Sequence, residues 1–229
     1  SFPSDIVVHA DSVKALPALV EAVGRISDAD QARGARERTS SLVADHTSRA
    51  RRLEAEDRGF ADTKPITPDW LVRCLAETVP PDAIVLEETV TNRPRVHEVF
   101  PRTLAGEFLV SAGASLGWAL GAAVGVRLAS PHRTIVALVG DGTFVYGAPT
   151  SALWAADHYD APFLTIIFNN NEHFATRRSL HAFYPDSASE RMGSVVGVDI
   201  SPSPDYALLA EASRAYGERV ESPDQVSAA

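Results

Sequence analysis

Cysteine is almost missing from this 229-residue sequence: Cys74 stands alone. No internal disulfide framework can form, and a reducing compartment, the cytoplasm, is the expectation. Positive charge is scarce as well, with 21 Lys and Arg against 30 Asp and Glu and a formal net charge of −9. Phosphate backbones are bound by an excess of Lys and Arg, so broad nucleic-acid binding is excluded. Long apolar runs are absent. The best of them, residues 113–126, is Gly- and Ala-rich, closes at Arg127 and falls short of the roughly 18 apolar residues of a membrane span, so no membrane association is expected. The N-terminus opens Ser1-Phe2-Pro3-Ser4-Asp5, without the basic segment and apolar core of an export signal. Methionine occurs once, at Met192, so Ser1 is not a translation start, and a processed chain or a piece of something longer is expected. What the sequence does have is hydrophobic residues, at 45%, enough for a sizeable core.

Residues 6–9, Ile-Val-Val-His, form a short β-branched run that predicts a strand. Apolar residues at Val13, Leu16, Leu19, Val20 and Val23 then predict an amphipathic helix. From 26 to 64 the composition turns to Arg, Asp, Glu, Ser and Thr, which predicts a largely helical linker. A second organisation begins at Pro65. Thr67-Pro68 is a helix N-cap and first-turn pair, followed by an apolar face of Trp70, Leu71, Cys74 and Leu75 that ends at Pro80-Pro81. Cys74 is expected to be buried on that face. Strands are predicted over 83–86, 108–110, 134–139 and 163–168, with helices over 116–128 and 151–158 between them. Continuous apolar strands alternating with helices require a parallel sheet covered on both faces, so the fold class is α/β, doubly wound. Ser203-Pro204 is expected to cap a further helix ended by Gly217, and 219–221 to form one more strand.

The strand ending at Val139 runs directly into Gly140-Asp141-Gly142-Thr143, read as a turn. Ligands of open α/β sheets sit beyond the carboxyl ends of the strands. Two glycines let the backbone approach a ligand closely, and Asp141 offers a hard carboxylate oxygen. The next strand ends in Asn169-Asn170-Asn171-Glu172, which brings amide and carbonyl oxygens to a neighbouring strand end. Carboxylate, amide and carbonyl oxygens are the donors that Mg²⁺ takes, usually beside phosphates and water. Taken singly, a Gly-Asp-Gly is usually only a turn and an asparagine run only a polar loop.

Their combination, a Gly-Asp-Gly closing one apolar strand, then a helix, then an apolar strand ending in Asn-Asn, resembles the cofactor motif of the thiamine-diphosphate-dependent decarboxylase and acetolactate synthase family. The similarity extends over most of 66–221. Residues 116–125 with Pro131-His132-Arg133 resemble the family segment before Gly-Asp-Gly, and Ser151-Ala152-Leu153-Trp154-Ala155-Ala156 resembles the benzoylformate-decarboxylase-like branch. By that resemblance, residues 1–25 are the end of a middle domain, 26–64 an interdomain connection, and 65–229 the diphosphate- and metal-binding domain, cut at its C-terminus.

The resemblance implies thiamine diphosphate and Mg²⁺ as cofactors. It assigns the Asp141 and Asn170 side chains and the Glu172 backbone carbonyl to the metal, with Asn169 as the alternative to Asn170. It gives Gly140, Gly142 and Thr143 to the diphosphate wall, and Thr91 and Asn92 to polar contacts with the diphosphate. The Ala114 carbonyl would accept from the aminopyrimidine amine, with Ser115 beside it, and Leu116 would wedge the cofactor into its bent form. The family's catalytic glutamate comes from a pyrimidine-binding domain of a partner subunit and matches nothing in this chain. A homodimer or tetramer acting on a 2-oxo acid is therefore implied, with this chain alone inactive. An acetolactate synthase-like carboligase, or a cofactor-binding module without chemistry, are the alternatives. A nicotinamide-binding domain lacks its glycine fingerprint here. His173 and Phe174 are read as lining substrate space or as plain loop, His97 and His132 as surface residues, Glu87-Glu88 as reaching the cofactor loop or, as strand-end carboxylates usually are, solvated, and the glycines at 113, 117, 121 and 125 as permitting close helix packing.

Overall fold

The computed structural model describes all residues except 1–2, 101–103, 112 and 114. The chain forms two compact units, Ser1–Arg52 and Leu53–Ala229.

The first unit holds helix α1 (Ser12–Ile26) and most of α2 (Ala29–Arg58). Asp11 caps α1, its side chain accepting from the Val13 amide at 2.8 Å. The apolar stripe Val13, Leu16, Leu19, Val20 and Val23 is exposed, and no residue of α1 is buried. Residues 6–9 do not form the expected strand. A β-branched run becomes a strand only when a neighbour takes its backbone hydrogen bonds, and none among the described residues does.

The second unit is built on a parallel sheet. In chain order it carries α3 (Pro68–Thr78), β1 (Ile84–Glu88), α4 (Arg93–Val99), β2 (Phe108–Val110), α5 (Trp118–Ala129), β3 (Ile135–Gly140), α6 (Asp141–Tyr146) and α7 (Pro149–His158). There follow β4 (Leu164–Phe168), α8 (Phe174–Phe183), α9 (Ala188–Met192) and α10 (Tyr206–Ala212). The strand order among the described residues is β2-β1-β3-β4, all parallel. Successive strand residues point to opposite faces, so one apolar run serves two cores. Ile84 and Leu86 of β1, with Ile135, Ala137 and Val139 of β3, pack on Ala119, Leu120 and Ala123 of α5, Phe144 of α6 and Ala152 of α7. Val85, Val136, Leu138 and Phe168 face the other way, onto Val72 and Leu75 of α3 and onto Val96 and Phe100. The doubly wound α/β fold expected from the sequence is the fold observed.

Local signals explain the element ends. Thr67 caps α3 through its side chain, accepting from the Trp70 amide at 3.2 Å. Buried Asp57 ties the last turn of α2 to this unit by ion pairs to Arg73, at 2.9 Å, and to Arg95. Cys74 is buried, as expected. Three expectations fail. Asp205, not Ser203, caps the last helix, accepting from the Leu208 amide, and that helix ends at Ala212 with Arg214 in the left-handed region at φ 61°. Residues 219–221 form no strand, having no partner among the described residues. Of the glycines at four-residue spacing, only Gly117 has a neighbour where a Cβ would stand; Gly113, Gly121 and Gly125 have open space. The spacing is thus not a packing stripe.

Candidate functional site

The strand order places β2 and β3 on opposite sides of β1, so the crevice at the carboxyl ends of β1 and β3 is the topological switch point of the sheet. Four segments meet at or beside it: 87–93 after β1, 115–119 leading into α5, 140–147 after β3, and 169–173 after β4.

At β3 no turn intervenes. Gly140 is the last ladder residue, paired with Phe168, and α6 starts at Asp141. The turn preference of Gly-Asp-Gly is overridden because the sheet ladder holds its first residue and the core holds Phe144. Asp141 is 2% exposed. Its Oδ1 accepts the Gly142 amide at 2.8 Å and its Oδ2 the Glu172 amide at 3.2 Å. The Gly142 amide is therefore turned to the carboxylate in this structure. A Cβ on Gly142 would stand 2.4 Å from the His173 ring, so a side chain there would displace that ring. Thr143 is buried.

At β4, Asn169, Asn170 and Asn171 are exposed. Asn171 takes the left-handed region at φ 58°, which asparagine tolerates better than most residues. The Glu172 amide donates both to Asp141 Oδ2 and, at 3.2 Å, to Asn170 Oδ1. The two oxygens thus face one donor and lie at most twice 3.2 Å apart. Asn169 Oδ1 instead takes the Asn171 amide and the Ser203 hydroxyl, both at 3.2 Å. Around Glu172 the loop is extended: the Asn171 carbonyl accepts from Ile200 and the His173 amide donates to Val198, forming a bridge between Glu172 and Asp199. An extended residue carries its N–H and C=O on the same edge, so the edge of Glu172 that meets Asp141 also carries its carbonyl. The Glu172 side chain turns to Arg177. His173 is half-buried, with its ring edge-on to Tyr146 at 5.8 Å between centroids, and Phe174 begins α8.

At β1 the reading of Glu87 and Glu88 as solvated is overturned: they are 0% and 2% exposed. Glu87 clamps the next loop. Its Oε1 accepts the Thr89 amide at 2.6 Å and the Thr89 hydroxyl at 2.7 Å, and its Oε2 accepts Arg93 Nε at 2.7 Å. Val90, between these anchors, adopts φ 38°, a costly conformation for a β-branched side chain. Thr91 and Asn92 follow, half-buried, and Asn92 precedes α4 without a side-chain cap bond. His97, expected at the surface, is half-buried edge-on to Phe108, with Nε2 3.6 Å from Glu87. The sequence did carry a signal for this clamp, a pair of acids closing an uninterrupted apolar strand with Arg93 six positions on, but α4 itself was not expected.

Glu88 reaches the start of α5, where it accepts the amides of Gly117 at 2.6 Å, Trp118 at 3.3 Å and Ala119 at 2.9 Å. Burial pushes its carboxyl up, against those three bonds, which pull it down. Gly117, at φ 91°, abuts the Tyr146–Gly147 backbone, where a Cβ would stand 2.7 Å from Gly147 N and the Tyr146 carbonyl. Leu116 immediately precedes it, half-buried, with Ser115 exposed. Ala114 lies outside the described residues.

The site therefore gathers Asp141, Asn170 and Glu172, and sets Gly140, Gly142 and Thr143 on the β3 side. Thr91 and Asn92 follow β1, and Ser115 and Leu116 lead into α5. Its donors are hard oxygens and backbone amides, the chemistry of a divalent cation bridging to phosphate. Among the described residues no cluster of three His, Cys, Asp or Glu could hold a metal, which an Asp, an Asn and a carbonyl do not require. No helix among them is long and apolar enough to cross a membrane.

Residues 91–229 match the family described as thiamine pyrophosphate enzyme, C-terminal TPP binding domain. The probable acetolactate synthase large subunit of Methanocaldococcus jannaschii is 27% identical over 172 residues, covering 72% of this chain and 28% of that protein. Benzoylformate decarboxylase of Pseudomonas aeruginosa is 32% identical over 113 residues, 49% of this chain and 21% of that protein. The solved structure of the thiamine diphosphate-dependent 4-hydroxybenzoylformate decarboxylase of Rhodococcus jostii superposes with a TM-score of 0.65 at 30% identity, covering 73% of this chain and 30% of that one. The chain spans less than a third of the length of each of these relatives. A family match over more than half of the chain, spanning β2, β3 and β4 with the segments that follow them, means that it belongs to the thiamine-diphosphate-dependent enzymes, as their C-terminal cofactor-binding domain.

Proposed function

We propose that this chain supplies the diphosphate and metal half of the active site of a 2-oxo acid decarboxylase or carboligase, with Mg²⁺ held by the Asp141 carboxylate, the Asn170 amide oxygen and the Glu172 carbonyl. The observation that carries the reading is the single Glu172 amide shared by Asp141 Oδ2 and Asn170 Oδ1, since it turns two oxygens from neighbouring strand ends toward one point. Asn169, the alternative ligand, is engaged by Ser203 and the Asn171 amide instead. Thr91 and Asn92, held beyond the Glu87 clamp, approach the diphosphate from the β1 side, and the amides of Gly142 and Thr143 from the β3 side. Binding a metal at Asp141 would free the Gly142 amide from the carboxylate for a phosphate oxygen. Leu116 and the Ala114 carbonyl receive the rest of the cofactor, with Ser115 between them.

When bound, thiamine diphosphate supplies the electron sink for breaking or making a bond at the substrate carbonyl carbon. The residues of this chain bind, orient and exclude water. The proton relay to the pyrimidine ring comes from a second domain on a partner subunit, in a homodimer or tetramer working in the cytoplasm. A decarboxylase of the benzoylformate type is favoured by the 30% identity to the Rhodococcus jostii structure and the 32% identity to the Pseudomonas aeruginosa protein. An acetolactate synthase-like carboligase is the second reading, favoured by the 72% of the chain that the archaeal relative covers.

Titrating the chain with thiamine diphosphate in Mg²⁺, in EDTA, and with NAD in place of the cofactor tests the reading. Saturable binding only with Mg²⁺ is expected, with no turnover of 2-oxo acids by the chain alone. Binding indifferent to EDTA would overturn the metal assignment, and steady product from the isolated chain would overturn the division of the site between two domains.

A further inference from the structure

We propose that Glu88 is a positioning residue for the bent form of the cofactor: without touching the cofactor, it fixes the first turn of α5 and so the height of Leu116 above the strand ends. The proposal rests on the reading of Leu116 as the wedge. Four observations carry it.

The start of α5 has no cap of its own. Gly117 stands at the N-cap position and has no side chain to offer, so the amides that every helix leaves unpaired in its first turn need an external acceptor. That acceptor comes from 29 to 31 residues earlier: Glu88 takes the amides of Gly117, Trp118 and Ala119 with its two oxygens, 2.6 to 3.3 Å away. No side chain can do this locally, because a Cβ at 117 would strike the Tyr146–Gly147 backbone. A cap delivered from another strand does something more, because it fixes the helix start relative to that strand.

The strand is also the right anchor. β1 is hydrogen-bonded on both sides, to β2 and to β3, and Glu88 pairs with Val139 two residues before Asp141. The wedge and the metal wall are thus referred to one ladder. Third, the junction admits a single height, since Gly117 at φ 91° rests backbone to backbone on Tyr146 and Gly147, at the far end of α6. Leu116 is the residue before that contact. Fourth, the carboxylate is buried against its own solvation, for burial is the largest influence on its proton affinity, outweighing the three hydrogen bonds.

The test separates position from stability. The chain and its E88Q variant are titrated by NMR with thiamine diphosphate in Mg²⁺, and separately with inorganic pyrophosphate in Mg²⁺. Pyrophosphate has no part that Leu116 could reach. E88Q is expected to weaken thiamine diphosphate binding about tenfold, in the range typical of residues that orient ligands from behind, and to leave pyrophosphate binding within about twofold. Equal loss for both ligands, or loss for neither, overturns the role of Glu88 alone. Failure of the unsubstituted chain to bind either ligand overturns the cofactor reading and this proposal with it. Should E88Q not fold, amide hydrogen exchange in the unsubstituted chain decides: thiamine diphosphate should slow exchange at Gly117, Trp118 and Ala119 more than pyrophosphate does, and equal protection would refute the proposal.

Discussion

The ends of β3 and β4 are neighbours, yet they are built in opposite ways. At β3 the ladder passes without a break into α6, and Asp141 is buried with both carboxylate oxygens accepting backbone amides. At β4 the ladder stops at Phe168, and three exposed asparagines follow, one of them at positive φ. The first end is fixed by the core behind it. The second is held by hydrogen bonds in which its asparagine oxygens accept from the backbone amides of Asn171 and Glu172 and from the Ser203 hydroxyl. One wall is therefore set by the core, and the other by exposed polar groups alone.

Leu120→Ala strikes the core behind the first wall. Leu120 is almost fully buried among Leu86, Val139 and Phe144, so the change should cost about 2–5 kcal/mol in chemical denaturation. Leu16→Ala on the exposed stripe of α1 should stay within about 0.5 kcal/mol. A loss below about 1 kcal/mol at Leu120 would mean that the wall is not held from behind.

Asp141→Ala removes the buried carboxylate proposed to hold the metal. Mg²⁺-dependent affinity for thiamine diphosphate, measured by calorimetry, should fall about 100-fold, at the upper end of what residues supporting a metal contribute. Retention of most of that affinity would shift the metal away from β3. Asn170→Ala, at the exposed end, should cost about tenfold in the same titration while leaving thermal stability nearly unchanged, since it buries nothing. If Asn169→Ala weakens binding instead, the ligand assignment moves by one residue.

The smallest effect is one of pH. Burial holds the Glu88 carboxyl above its ordinary 4.5, so the folded chain keeps this proton to higher pH than the unfolded chain does. The contribution of this group to stability is full below 4.5 and is lost as pH rises through the folded value. The denaturation midpoint of the chain should therefore fall relative to that of E88Q as pH rises from 4 through the folded value, and a difference that stays flat with pH would contradict it.

Much of the sheet was legible in the sequence. The apolar runs at 84–86 and 135–139 announced buried parallel strands, and the spacing between Asp141 and Asn170 put two oxygen donors on adjacent strand ends. What escaped notice depended on partners far away in sequence. Residues 6–9 and 219–221 have strand composition but no neighbour to pair with among the described residues, so composition misled. Glu87 and Glu88 read as solvated because nothing near them in sequence shows the amides of 117–119 or the guanidinium of Arg93 that satisfy them in the folded chain. The Gly-Asp-Gly read as a turn became helix because the ladder and Phe144 fixed both ends of the segment. Helix α8 went unread although its residues carry a helical apolar period, because Arg177-Arg178 and the polar loop before it drew the reading toward loop.

The contact of Gly117 with the peptide joining Tyr146 and Gly147 has a consequence for how such a site can diversify. Two main chains lie there with no side chain between them, so the spacing between Gly117 and the end of α6 is a fixed dimension of the scaffold. Substitution cannot widen it by degrees, only break it. Sequence variation is therefore expected in the loops that surround this joint rather than at the joint itself.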